Sequence, residues 1–95
     1  MAVTITIDGS DQQLTEAAAI RLVRKLRSYA DGDEEAADAL ATAIERRLTD
    51  PTRGPIVISE PADLDALHRV LNAIVDGLGP AMQLFNAVDM ARRAG

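Results

Sequence analysis

The side chains able to do chemistry are few and scattered. His68 is the single histidine, and helical spacing sets Asp65 and Asn72 on its face. A metal centre would need further His or Cys ligands, of which the chain has none, and carboxylates alone would make only a weak, oxygen-rich site. No motif places a nucleophile beside the imidazole, so the expectation is a solvent-facing or boundary histidine. The run Asp31-Gly32-Asp33-Glu34-Glu35 is rich in carboxylates but lacks the ~12-residue ligand spacing and closing Glu of a calcium loop. It reads as a helix cap with an acidic first turn. Gly77-Leu78-Gly79-Pro80 lacks the Lys-Ser/Thr that follows a phosphate cradle, and a helix stop accounts for it. No catalytic residue, metal or cofactor is expected.

What remains is surface. Residues 21–27 carry Arg21, Arg24, Lys25 and Arg27 without an acid, and residues 31–38 carry Asp31, Asp33, Glu34, Glu35 and Asp38 without a base. The basic face can meet an acidic partner, a phosphate backbone, or the chain's own acidic second helix, the last being favoured for antiparallel neighbours joined by a short turn. Ile20 falls outside the apolar stripe of its helix, and Met82 and Met90 fall outside theirs. Ile20, Arg21, Arg24, Arg27, Met82 and Met90 are therefore the candidate partner-binding residues.

At 95 residues the chain reads as one domain, 1–95, with pseudo-halves 1–50 and 54–95. Phe85 and Tyr29 are the only aromatics, so the core must be Leu, Ile, Val and Ala. The lack of cysteine excludes disulfides and thiolate chemistry. A net charge of −5 argues against nonspecific binding to nucleic acid or anionic lipid. MAVTITIDGS has neither the basic start nor the apolar run of a signal peptide, and nothing reads as a membrane span, so a soluble cytoplasmic protein is expected.

The elements that must position these residues follow from periodicity. Val3 to Ile7 alternates as a strand, and Asp8-Gly9 turns it. Ser10 with Gln13 suggests a capping box opening a helix that runs to Ala30 on a stripe of Leu14, Ala18, Leu22, Leu26 and Tyr29. Asp31-Gly32-Asp33 separates it from a helix over 34–49, striped by Ala37, Leu40, Ile44 and Leu48. Thr49-Asp50-Pro51 stops that helix, and 50–54 is a loop. Ile56-Val57-Ile58, bounded by Gly54-Pro55 and Ser59-Glu60-Pro61, reads as a short buried strand. Leu64, Leu67, Leu71, Ile74 and Leu78 stripe a helix that Gly77 or Gly79 ends, and Pro80 opens a last helix on Ala81, Leu84, Phe85, Val88 and Ala91. The expected fold is α+β, mostly helical, β-α-α-β-α-α, with a two-stranded ribbon and four helices.

The halves echo each other, LRSYADG at 26–32 against LNAIVDG at 71–77, a pattern that an old duplication or two helices punctuated alike would both give. A strand followed by two helices resembles the ribbon-helix-helix unit. That resemblance implies dimers that pair two strands into a ribbon entering the DNA major groove, and two units in one chain would form the ribbon internally. Thr4 and Thr6 would then face Ile56 and Ile58 as its reading positions. Neither strand carries Arg or Lys, and Asp31 to Glu35 would repel phosphate, so charge outweighs topology. The expected function is a small acidic non-enzymatic protein-interaction module, such as an inhibitor, adaptor or antitoxin-like regulator. Its expected partners are an unidentified protein and a second copy in a homodimer. A DNA-binding regulator with the ribbon-helix-helix scaffold is the alternative.

Overall fold

The structure is a computed structural model that describes residues 2–29, 34–50, 52–75, 77 and 79–94, with Glu34 described by its backbone alone. Seven elements follow in order: β1 (Ala2–Ile7), β2 (Ser10–Thr15), α1 (Glu16–Ser28), α2 (Glu34–Thr49), β3 (Ile56–Ile58), α3 (Pro61–Ile74) and α4 (Pro80–Ala94). The protein is a mostly helical α+β fold, but its sheet is mixed and three-stranded, ordered β2-β1-β3, rather than a two-stranded ribbon.

The added strand is β2, where the capping-box reading of Ser10 and Gln13 had placed the start of a helix. Asp8 and Gly9 have φ of 48° and 84°, the left-handed pair that a two-residue hairpin needs. This turn pairs β1 with β2 antiparallel from Ala2↔Thr15 to Ile7↔Ser10. Val3 lies opposite Leu14, and both are buried, so Leu14 reaches the core from a strand and not from a helical stripe. Helix α1 starts after Thr15, whose Oγ1 accepts the Ala18 backbone N–H at 3.1 Å. The surplus residues of the first half relative to the second thus form a hairpin partner.

β3 joins the other side of β1 in parallel, Ile5↔Ile56 to Ile7↔Ile58, which is why α1 and α2 intervene between them. The resemblance implied a ribbon of these two strands alone, whereas here they run parallel within a three-stranded sheet. The topology therefore departs from that family. β3 is also less buried than a run of three β-branched residues suggests: Ile58 is buried, Ile56 half-buried, and Val57 64% exposed.

The helices cover one face of the sheet. Ile5, Ile7, Leu22, Leu26, Ile44, Leu71, Leu84 and Val88 are among the fully buried side chains, and each contributes about 1.5–3 kcal/mol relative to exposure. No polar side chain is buried among the described residues. α3 opens on Glu60 and Pro61 but stops at Ile74, with extended Val75 as C-cap, short of the expected Gly77 or Gly79. The Asp31-Gly32-Asp33 break and the Leu78 stripe position lie outside the described residues. Among the described residues no helix is long and apolar enough to cross a membrane.

Candidate functional site

The polar groups pair off across helix interfaces instead of converging. His68, half-buried on α3, sets Nε2 3.2 Å from Asp89 Oδ1 of α4, and its ring lies 4.8 Å from that of Phe85. The other Asp89 oxygen accepts from Arg93 Nε at 3.1 Å, an i,i+4 pair on α4. Asp65 accepts from Arg92 Nε at 2.8 Å and so ties α3 to α4 a second time. His68 is thus a boundary residue, one of the two placements expected, and its contact is with Asp89 of the next helix. Among the described residues no group of three or more His, Cys, Asp or Glu could hold a metal.

Arg27 reaches from α1 to α2, donating to Asp38 Oδ1 at 2.7 Å, to Thr42 Oγ1 at 3.3 Å and to Glu45. Hydrogen bonds to Glu45 first and Asp38 second raise its already high pKa. Arg27 is therefore engaged within the chain, with its side chain still 41% exposed. Arg21 and Arg24 are exposed on α1 without an ion pair among the described residues. Ile20 is 39% exposed beside them. Met90, 70% exposed, borders a hollow against Asp8, Gln12 and Gln83, whereas Met82 is half-buried and lines no part of it. Of the six candidates, Ile20, Arg21, Arg24 and Arg27 lie on α1, and Met82 and Met90 lie on α4.

A different region does gather. β3 is an edge strand, and a groove of about 190 Å³ runs beneath it between α2 and α3, floored by Ala36, Ala39 and Ala43 and walled by Ile56, Ile58 and Leu67. The alanines on this face of α2 leave the space unfilled. Adjoining it, and sharing Ala43 and Ile56, is a basic hollow bordered by Arg46, Arg47 and Arg53. Arg47 buries Nε and Nη1 with no hydrogen-bond partner among the described residues. The Arg53 side chain makes a long 3.6 Å contact with Asp50. Asp50 is occupied locally: Thr52 gives it a hydroxyl bond at 2.6 Å and a backbone N–H bond at 3.2 Å, and these hold its carboxyl below the ordinary value. At the other end of β3, Glu60 caps α3 by backbone alone, with no side-chain cap bond, and Asp63 borders the groove.

Val57 and Glu60 are legible in the sequence as strand and cap but not as site residues, and Arg46, Arg47 and Arg53 carry no motif of their own. The charge signal was present, since 46–53 holds three arginines against one acid, but the loop's Asp50-Pro51 drew it as mere punctuation. Comparison of the chain with family profiles, with curated proteins and with solved structures found no match in any of the three.

Proposed function

We propose that this chain is a small non-enzymatic protein-interaction module that docks through the open edge of β3. The observation that carries the reading is an aliphatic strand edge, with Val57 64% exposed, lying directly over an unfilled apolar groove. An unpaired strand edge presents backbone donors and acceptors that recruit another strand, and a groove alongside supplies side-chain pockets. The pairing of His68, Asp65 and Arg27 within the chain favours a structural role for the charged groups over a reaction centre.

The test is affinity capture with the native chain and with Val57→Lys, which charges the edge while replacing a side chain the core does not use. Association that disappears with Val57→Lys supports the reading, and association insensitive to it, or none at all, sinks it. The DNA-binding alternative is weighed against by charge on the open face of the sheet, where Thr6 donates to Asp11 at 2.7 Å. Retardation of a long duplex at low salt would replace the interaction reading with that one.

A further inference from the structure

We infer that the occupant of the β3 edge is β3 of a second copy, paired antiparallel about a twofold axis through Val57. The inference rests on the docking-edge reading above and names the partner.

Backbone direction comes first. In a parallel ladder each residue turns its N–H and C=O to the same side, and successive residues alternate. The Asp8 N–H donates to the Ile58 carbonyl at 2.9 Å, so Ile58 and Ile56 address β1. Val57 therefore directs its N–H and C=O outward. Two such strands meeting antiparallel exchange both bonds between Val57 and its copy, a self-complementary pair of the kind a twofold axis requires. Continued one step outward, the register brings the Ser59 N–H to the Pro55 carbonyl of the second copy. Proline lacks a donor but keeps its acceptor, so Pro55 does not obstruct this register.

Side chains follow the same register. Ile56 comes opposite Ile58 of the other copy on the helix-covered face, where both extend over the groove floored by Ala36, Ala39 and Ala43. Glu60 comes opposite Gly54, and a Cβ built at Gly54 meets nothing within 4 Å. The carboxylate that makes no capping bond thus arrives at the basic hollow bordered by Arg46, Arg47 and Arg53. Arg53 in turn faces Pro61, close to the second copy's acidic Glu60 and Asp63. The strand is basic before and acidic after its three aliphatic residues, and antiparallel pairing sets opposite charges together at both ends. Parallel pairing would oppose like charges.

Sedimentation velocity across the micromolar range is the first measurement, and a concentration-dependent monomer–dimer equilibrium is expected. Val57→Lys sets two ammonium groups face to face on the axis and should raise the dissociation constant by roughly tenfold or more. Glu60→Lys should weaken the dimer, and adding Arg53→Glu to it should recover part of the loss. Val57→Cys supplies a separate readout, because the chain has no cysteine of its own and a hydrogen-bonded antiparallel pair spaces Cα atoms about 5.5 Å apart, within disulfide range. Mild oxidation should convert this variant to a covalent dimer with native circular dichroism. A particle that stays monomeric at every concentration, or a dimer indifferent to Val57→Lys that forms no disulfide through residue 57, overturns the inference. Edge-dependent capture of a different protein by a monomeric chain would overturn it too, while leaving the docking reading in place.

Discussion

The sheet has two outer edges, and they are built differently. β2 is six residues long, polar in composition, and attended by α4, whose Gln83 Nε2 donates to the Gln13 carbonyl at 3.2 Å and to Gln12 Oε1 at 3.3 Å. β3 is three residues of Ile-Val-Ile with no side chain bonded to its outer backbone among the described residues. Edge strands are ordinarily shielded by polarity, covering groups or proline. One edge of this sheet follows that rule closely, and the other keeps only a proline before it. The contrast teaches that exposure at β3 is selective, since the same sheet shows how the fold closes an edge.

Substitutions can break or sharpen that contrast. The largest effect is expected at Ile5, which is fully buried in the strand both edges share. Ile5→Ala should lower unfolding free energy by about 2–5 kcal/mol in urea titrations and loosen both edges together. Gly9 comes next, since its φ of 84° is needed to close the hairpin and no neighbour lies within 4 Å of a Cβ there. Gly9→Ala should cost about 1–2 kcal/mol through conformation alone, and hydrogen exchange should quicken along β2 while β3 stays unchanged. Gln83→Ala removes the attendant of the closed edge. Its stability cost should be about 0.5 kcal/mol, with faster exchange at the β2 rim, making β2 more like β3.

The smallest effect concerns the turn that delivers the chain to the open edge. Thr52→Ala deletes the hydroxyl bond that most lowers the Asp50 carboxyl, so that group should titrate higher when followed by carbon-detected NMR. The sign follows from linkage. A depressed folded pKa means that the contribution of Asp50 is present above its unfolded value near 3.8 and is lost as pH falls through the folded one. Native protein and Thr52→Ala should therefore differ in stability above that window and converge at the acid end. Equal Asp50 titration in both would show the Thr52 bond to be incidental.

Much of this architecture is written in local chemistry. Gly54-Pro55 and Ser59-Glu60-Pro61 bracket β3, and leucines three and four apart trace α3, so both are legible residue by residue. β2 was hidden because its inward positions are Ser10, Gln12 and Leu14, only one of them apolar, and because Ser10 with Gln13 imitates a cap. The Asp8-Gly9 pair was the available signal, being a hairpin sequence and not merely a strand end. The candidate site was less legible still. A run of Ile-Val-Ile predicts a strand but not whether a neighbour lies beyond it, and that depends on where α1 and α2 return the chain.

The side-by-side parallel run of β1 and β3 carries a consequence for assembly in time. The hairpin joins neighbours and can zip within microseconds, whereas the third strand must wait for two intervening helices to be laid down. A nascent chain emerging N-terminus first would expose one flank of β1 until residue 58 has been synthesised. During that interval the vacant flank is open to any passing extended segment, so pulse-labelled exchange should record amides of residues 5–7 closing in two steps.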